Sequence, residues 1–434
     1  MAQLVVSGAG TGVGKTLVTR ALCAALRHAG RSVQPYKIGP DYIDGRLTSR
    51  SAGRVVYNVD LWLDGEDNLR RHVAGTRGDA DALVFEGMMG LYDGDDDGTT
   101  STAHVAMLLG APVLLVLDGW NASQTAAAVA LGLRTYEPGL AFAGAILNRT
   151  GGAAHTRAVA DACARAGVAL LATLPFEPDA ASPERRLGLD RAEGEARTGA
   201  IDLLGRRLAE QLDLDALLPR SNGTRAAGDD VRIARARVAV AEDEAFWFTY
   251  PETLIALRAA GADVVPFSPV HDTSLPDRID GLWLGGGYPE LHAAALAKNV
   301  PMRDAVRRAV REGLPAYAEC GGMMYLAESL ETEQGTFPMA GALQGSTSIA
   351  RPRLTIGYRR ALTLADGPLD ARDTAIRGYE FHYASGTLAG SPAYAFQGGG
   401  TEGIGLRTLT ASFMHRHFVV GDPAIERFVA SCAR

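Results

Sequence analysis

A glycine-rich loop near the start of the chain has the residue types and the spacing of a phosphate-binding site. It follows the apolar run Leu4-Val5-Val6 and precedes a helical pattern. Glycines let backbone N–H groups point at phosphate oxygens, a lysine adds positive charge, and a threonine hydroxyl can bind Mg²⁺. Ala9 stands where the usual motif has its first glycine, so the loop is a variant of that motif. We expect the nucleotide-binding residues to be Gly10, Thr11, Gly12, Val13, Gly14, Lys15 and Thr16.

Acidic and polar residues further along the chain could complete this site. Mg²⁺ needs a carboxylate besides the Thr16 hydroxyl, and Glu86, at the end of an apolar run, is the first candidate, with Asp44 next. Either acid could instead be a solvated loop residue. Lys37 could add charge near a transferred phosphate, or it could lie at the surface. Asn148 follows another apolar run, and its amide could hydrogen-bond a nucleotide base.

A second reactive pattern lies far downstream, around Cys320. The pattern reads as strand, sharp turn and helix, which exposes a nucleophile at the turn. The positive end of the following helix lowers the pKa of such a thiol. The Gly321 N–H and a separate glycine loop with Gly286 and Gly287 could hold an oxyanion. These features together are typical of acyl transfer through a thioester.

Two histidines near the C-terminus could supply the base that this thiol needs. His415 and His417 are separated by one residue, and either could take the thiol proton. A Cys-Gly-Gly turn or a histidine pair is usually structural when it occurs alone. The order of glycine loop, cysteine turn and late histidine within one domain is more specific, so we expect a catalytic site here.

The composition excludes several classes of protein. The chain has 434 residues, of which 47% are hydrophobic, and this is enough for two packed cores. The net charge is -7 and the basic residues are dispersed, so we expect no nucleic-acid partner. No apolar run reaches about 18 residues, so we expect no membrane partner. The N-terminus shows no charged-then-apolar leader, which predicts a cytoplasmic location.

The alternation of apolar runs and helical patterns predicts an α/β protein with two domains. The runs of the first half are continuously apolar, as in parallel strands covered on both faces, which predicts a doubly wound parallel sheet. We predict a P-loop domain over 1–220, a polar linker over 221–231 and a second α/β domain over 232–434. The predicted strands are 4–6, 83–85, 113–117, 143–147 and 169–174, then 238–241, 264–267, 281–284 and 316–318.

Several longer motifs resemble the cobyrinic acid a,c-diamide synthase family, which includes the hydrogenobyrinic acid enzymes. These proteins are glutamine-dependent amidotransferases of corrinoid biosynthesis. The resemblance covers nearly the whole chain. The matching segments are 37–44, 86–94, 101–103 and 185–189 in the first half, and 285–290, 318–322, 378–383 and 412–418 in the second.

This resemblance implies an ATP-dependent synthetase domain, similar to dethiobiotin synthetase, followed by a class I glutaminase domain. It implies ATP and glutamine as co-substrates, Mg²⁺ as cofactor, and a corrinoid or related tetrapyrrole carboxylate as acceptor. It assigns the nucleophile to Cys320, the activating histidine to His415, and the metal acids to Asp44 and Glu86. Class I glutaminases usually have a glutamate two residues after that histidine. His417 stands there in this chain, so the third member of the triad stays open.

Departures from the family pattern leave the acceptor open. Gly45-Arg46-Leu47-Thr48 replaces a segment with proline and histidine, and Arg186 replaces a histidine. Both changes fall in the synthetase half, where the acceptor should bind. Nickel sirohydrochlorin or another polycarboxylic acid is therefore an alternative substrate. The oligomeric state is also open, with a homodimer as one alternative.

Two other classes of protein fit the sequence less well. A P-loop switch of the partitioning type usually has a lysine at the position of Gly10. A tetrapyrrole-binding scaffold with an inactive glutaminase would not need both Cys320 and His415. A glutamine-dependent ligase for a different acid is the more serious alternative.

Overall fold

The computed structural model describes residues 2–42, 44–95, 98–120, 122–180, 191–219 and 234–433. The chain divides into two compact units, Met1–Gly228 and Asp229–Arg434. The predicted linker at 221–231 lies outside the described residues, and so does the family-like segment at 185–189. The predicted domain limits therefore stay predictions.

The first unit is built on a seven-stranded sheet in the order β3-β2-β4-β1-β5-β6-β7, and all of its pairings are parallel. This confirms the predicted doubly wound sheet. Its strands are β1 (Ala2–Gly8), β2 (Val33–Ile38), β3 (Tyr57–Val59), β4 (Ala82–Glu86), β5 (Val113–Asp118), β6 (Phe142–Thr150) and β7 (Leu170–Pro175).

Helices cover both faces of this sheet, which explains why its strands are continuously apolar. Val5 belongs to the core on one face, while Leu4 and Val6 belong to the core on the other, and all three are fully buried. Alternate side chains of a strand point to opposite faces, so each face requires its own apolar set. The helices are α1 (Lys15–His28), α2 (Asp44–Ala52), α3 (Leu61–Asp64), α4 (Glu66–Thr76), α5 (Thr102–Leu109), α6 (Gln124–Tyr136), α7 (Ala153–Arg165), α8 (Arg191–Gln211) and α9 (Leu214–Leu217).

The second unit has a six-stranded sheet in the order β10-β8-β11-β13-β23-β22, parallel except for the β22–β23 pair. Its strands are β8 (Ala236–Ala241), β10 (Ala262–Phe267), β11 (Gly281–Leu284), β13 (Ala316–Glu319), β22 (Ile404–Leu406) and β23 (Leu409–Ser412). The helices of this unit are α10 (Pro251–Ala259), α11 (Ala293–Lys298), α12 (Val300–Arg311), α13 (Gly321–Leu326) and α14 (Pro423–Cys432).

Smaller sheets, which the sequence did not predict, flank this central sheet. The largest has five strands in the order β21-β20-β17-β18-β24, all antiparallel. The additional strands are β9 (Phe246–Phe248), β12 (Gly286–Gly287), β14 (Ser329–Thr332), β15 (Gly335–Pro338), β16 (Gly345–Ser348), β17 (Thr355–Thr363), β18 (Ala375–His382), β19 (Ser385–Leu388), β20 (Tyr394–Phe396), β21 (Thr401–Glu402) and β24 (Met414–His415). Across the described residues, no helix combines the length and apolar character that a membrane crossing requires.

Candidate active sites

The glycine-rich loop occupies the turn between β1, which ends at Gly8, and α1, which begins at Lys15. Gly12 and Gly14 have φ angles of 85° and 101°, which glycine adopts far more readily than other residues. A Cβ atom on Gly14 would also collide with the Asn148 side chain. The shape of the loop therefore depends on glycine at position 14.

Lys15 is held over this loop. Its Nζ donates a hydrogen bond to the Gly10 carbonyl oxygen at 2.8 Å, and the residue is only 8% exposed. The loop also leads into the N-terminus of α1, where unpaired N–H groups and the helix dipole favour an anion. The charged lysine, the N–H groups and the glycine turn together form a site that suits phosphate groups.

Three residues from three different elements meet beside the loop. The Thr16 hydroxyl donates to Glu86 Oε1 at 2.6 Å, and Lys37 Nζ donates to the same oxygen at 2.6 Å. Lys37 and Glu86 are also paired across β2 and β4. Both side chains are buried, so neither is the solvated surface residue that the sequence alone allowed. The structure thus brings together three of the predicted site residues.

The oxygen atoms of Thr16 and Glu86 fit a magnesium site. Mg²⁺ commonly takes one or two protein carboxylates and completes its octahedral shell with substrate phosphates and water. A hydroxyl and a carboxylate oxygen 2.6 Å apart at the end of the phosphate loop match that pattern. Asp44, the other predicted acid, begins α2, but its side chain lies outside the described residues.

Two neighbouring residues at the end of β6 hold the other side of the loop. Asn148 Nδ2 donates to the Val13 carbonyl oxygen at 3.0 Å. Arg149, which the sequence did not single out, donates to the Gly12 carbonyl oxygen at 2.9 Å and pairs with Asp118 of β5. Because β5 and β6 are adjacent, their carboxyl ends meet at the loop. The contacts of Arg149 depend on the pairing of β5 with β6, so the sequence alone did not mark it as a residue of this site.

In the second unit, Cys320 lies at a strained turn between β13 and α13. Its φ and ψ are 49° and -105°, a region in which residues other than glycine are rare. Such strain costs about 1–3 kcal/mol and persists where the surroundings enforce it. The Cys320 N–H donates to the Ser412 carbonyl oxygen at 2.7 Å, and its carbonyl oxygen accepts from the Met324 N–H at 3.0 Å. The turn is thereby fixed from both sides.

Glycines allow three chain segments to approach the thiol closely. A Cβ on Gly286 would lie 3.6 Å from Cys320 Cβ and 3.2 Å from the His415 ring. A Cβ on Gly321 would lie 2.9 Å from Pro289 and 3.0 Å from the Gly287 nitrogen. Gly286 therefore lies beside Cys320 and His415, and Gly287 lies beside Gly321. Their backbone N–H groups are suitable donors for an oxyanion.

His415 lies beside Cys320 and is oriented by Glu319, the residue that precedes the cysteine. His415 Nδ1 is 2.8 Å from Glu319 Oε1. The other carboxylate oxygen, Oε2, accepts from the Tyr317 hydroxyl at 2.6 Å and from the Arg416 N–H at 3.2 Å. Both His415 and Glu319 are buried. A carboxylate held in this way fixes the imidazole and stabilises its charged form.

These surroundings change the protonation of His415. Burial lowers the pKa of the ring, but the charges of Glu319 and Cys320, and its hydrogen bonds to both, outweigh burial and raise that pKa from 6.5 to about 10. The favoured state of His415 at neutral pH is therefore the imidazolium. A thiolate can attack an acyl carbon, and an imidazolium can protonate a leaving amine.

His417, the alternative base, faces a different partner. Its Nε2 lies 2.6 Å from Glu252 Oε1, and both side chains are 1% exposed. The ring also packs against Tyr250, with centroids 4.9 Å apart. His417 is therefore held by Glu252, whereas the carboxylate beside His415 is that of Glu319.

Two family models match the chain, one in each unit. Residues 4–189 match the CobQ/CobB/MinD/ParA nucleotide binding domain, and residues 237–422 match the CobB/CobQ-like glutamine amidotransferase domain. The first match contains the glycine-rich loop, and the second contains Cys320 and His415. The chain thus joins a nucleotide-binding domain to a glutamine amidotransferase domain.

Several curated proteins are similar to this chain over nearly its whole length. The cobyrinate a,c-diamide synthase of Syntrophotalea carbinolica is 38% identical over 452 residues, which covers 99% of this chain and 98% of that protein. The hydrogenobyrinate a,c-diamide synthase of Thermobifida fusca is 40% identical over 461 residues, with 99% and 96% covered. The cobyrinate a,c-diamide synthase of a Synechococcus species is 36% identical, with 99% and 98% covered.

Proposed function

Because the chain belongs to the family of cobyrinate and hydrogenobyrinate a,c-diamide synthases, we propose that it amidates the a and c carboxylates of cobyrinic or hydrogenobyrinic acid. ATP and glutamine are its co-substrates. The observation that carries this proposal is the presence of two side-chain clusters in one chain: Thr16, Lys37 and Glu86 beside the phosphate loop, and His415 with Glu319 beside the thiol.

In the synthetase half, ATP activates the acid. A carboxylate reacts poorly with ammonia because hydroxide is a poor leaving group. Transfer of the γ-phosphoryl group to a carboxylate oxygen gives ADP and an acyl phosphate, and ammonia then displaces inorganic phosphate from the acyl carbon. Lys15, Lys37 and the loop N–H groups neutralise the charge that develops. Thr16 and Glu86, with Asp44 as a further candidate, would hold Mg²⁺, which neutralises phosphate charge when bound.

Asn148 extends the nucleotide site toward the base. Its Nδ2 is committed to the Val13 carbonyl oxygen, which fixes the orientation of the amide. Its Oδ1 is buried and has no hydrogen-bond donor in the described structure. The exocyclic amino group of adenine would supply such a donor.

In the glutaminase half, the Cys320 thiolate attacks the side-chain amide carbon of glutamine. The Gly321 N–H and that of Gly286 or Gly287 hold the oxyanion. His415 gives its proton to the departing ammonia, while Glu319 keeps the imidazole oriented. Water then cleaves the thioester, which releases glutamate and restores the thiol.

The same proposal includes the domain limits, the cellular location and the oligomeric state. The synthetase domain spans 1–220, the linker 221–231 and the glutaminase domain 232–434. A cytoplasmic location suits an enzyme that consumes ATP and glutamine. A homodimer and a monomer are both compatible with this mechanism, and light scattering of the purified protein distinguishes them.

The acceptor is tested by product analysis. Purified enzyme is incubated with ATP, Mg²⁺ and glutamine, and separately with cobyrinic acid, hydrogenobyrinic acid or nickel sirohydrochlorin, before mass spectrometry. We expect a doubly amidated corrinoid, with matching release of ADP and glutamate. The departures at 45–48 make nickel sirohydrochlorin the relevant comparison, and its preferential amidation would reassign the substrate. Absence of ADP release with every acid would contradict the amidation chemistry itself.

A further inference from the structure

A cavity of about 680 Å³ in the second unit has three arginines on its wall. It is bounded by the start of β17, the end of β18 and the start of β19, with Phe413 on a further side. The arginines are Arg351, Arg353 and Arg359. The mechanism derived above uses none of these residues.

The cavity carries positive charge that the surrounding protein does not neutralise. Arg359 is paired with Glu380 at 2.5 Å, so its charge is compensated. Arg351 and Arg353 are exposed, and within the described part of the chain neither has an acidic partner at ion-pair distance. Unpaired guanidinium groups on a concave wall attract carboxylates, which arginine binds through two parallel hydrogen bonds.

The wall that carries these charges is well held. The Arg353 N–H donates to the Tyr383 carbonyl oxygen at 3.2 Å, next to the paired residues Thr355 and His382 of β17 and β18. His382 Nδ1 lies 2.8 Å from the Ala384 carbonyl oxygen, and its ring stacks on Phe413 with centroids 4.5 Å apart. The backbone at Arg353 is therefore held against the β17–β18 pair.

The cavity shares strands with the thiol site. Phe413 on its wall is followed directly by β24, which contains His415. In the β18–β24 pair, Tyr379 lies opposite His415, and His382 on the cavity wall lies three residues further along β18. The cavity and His415 are thus joined by two short segments, 413–415 and 379–382.

We propose that this cavity binds carboxylate groups of a substrate of the amidation reaction. The inference rests on the proposed function, because that reaction has two organic substrates that carry carboxylates: glutamine, through its α-carboxylate, and the polycarboxylic macrocycle. Leu354, Ile356 and Tyr383 line the same cavity and are partly exposed, so hydrocarbon next to the carboxylate also finds apolar contacts. The shared chemistry is a carboxylate bound by Arg351 and Arg353.

The test is kinetic and uses the full-length enzyme with the double variant Arg351→Ala/Arg353→Ala. Its control is Arg258→Ala/Arg407→Ala, which removes two exposed arginines of the same unit that do not line the cavity. One arm measures glutamate release at varied glutamine, and the other measures amidation with saturating ammonium at varied macrocycle. Failure of wild-type enzyme to amidate would count against the proposed function. The KM of the variant divided by the KM of the wild type, in either arm, tests the role of the cavity alone.

We expect the cavity variant to raise one KM by about tenfold or more, since hydrogen bonds between charged groups are stronger than those between neutral ones. A rise confined to the glutamine arm identifies the α-carboxylate as the ligand. A rise confined to the macrocycle arm identifies the acid substrate. The proposal is overturned if both KM values stay within twofold of wild type, or if the control variant shifts them equally.

Discussion

Glu319 Oε1 lies 2.8 Å from His415 Nδ1, although the two residues are 96 positions apart in the chain. Glu319 is the last residue of β13, and Cys320 follows it directly at the turn. The strand that leads to the thiol therefore also supplies the carboxylate that contacts His415. The position two residues after the histidine holds His417, which is bound to Glu252 instead.

Replacing Glu319 by glutamine tests this relationship. Glutamine keeps the size of the side chain and can still accept hydrogen bonds from Tyr317 and Arg416, but it removes the charge that stabilises the imidazolium. We expect kcat for glutamine hydrolysis to fall by about a hundredfold or more, with ammonium-dependent amidation preserved. Steady-state glutamate release checks this, and an unchanged kcat would exclude Glu319 from the triad.

The pH dependence of glutamine hydrolysis reports the charge on His415. Its pKa in the folded protein is raised from 6.5 to about 10, so the ring stays protonated through neutral pH and loses its proton only near the higher value. The stabilisation that this charge gives the fold is complete below the unfolded pKa and disappears as pH rises through about 10.

We therefore expect kcat/KM for glutamine to fall on the alkaline side with a midpoint near 10. In Glu319→Gln this limb should move to lower pH, because the largest charge that raises the pKa is gone. A rate profile from neutral to alkaline pH measures both midpoints. Identical midpoints in the two proteins would contradict the ion-pair assignment.

His417 should contribute to stability rather than to chemistry. His417→Ala removes the imidazole that lies 2.6 Å from Glu252 Oε1, and breaking a buried pair costs about 3–5 kcal/mol. Chemical denaturation should show this loss, with kcat of the remaining folded enzyme within a few-fold of wild type. The control is His271→Ala, which breaks a matched but exposed pair with Glu244 and should cost about 0–1 kcal/mol. Equal losses in the two variants would show that burial of the pair is unimportant.

Glu86→Gln should impair amidation in the synthetase half and leave glutamine hydrolysis in the glutaminase half intact. The variant weakens the proposed magnesium ligand and removes the charge that holds Lys37. We expect amidation to fall by about a hundredfold or more with either nitrogen source, while glutamine hydrolysis continues. Glu66→Gln, at an exposed position of the same unit, is the matched control and should change neither rate. Amidation at the wild-type rate in Glu86→Gln would remove this residue from the site.

The sequence predicted the strands that are apolar on both faces and missed those with buried polar residues. β1 and β4 are continuous apolar runs because helices cover both sides. β2 contains Gln34 and Lys37, so it is not a continuous apolar run. Each is buried because it has a specific partner: Gln34 donates to the Val55 carbonyl oxygen at 2.7 Å, and Lys37 donates to Glu86. Such partners come from tertiary structure, so local patterns do not reveal them.

The same limit explains which site residues could be found. Cys320 and the phosphate loop were proposed from neighbours in sequence, because their local spacing alone marks them as candidates. Glu319 was missed because its role depends on the position of His415, which β24 brings close to β13. The additional strands between 329 and 415 were also missed, since polar and small residues leave them only brief apolar runs.

The most direct measurement is the amount of amidated product that Cys320→Ser forms with glutamine and with ammonium as the nitrogen source. This variant keeps the shape of the turn but lacks the thiolate. We predict no amidated product with ATP and glutamine, and amidation near the wild-type rate when glutamine is replaced by a high concentration of ammonium. An equal loss of product with both nitrogen sources would contradict the separation of nitrogen release from acid activation.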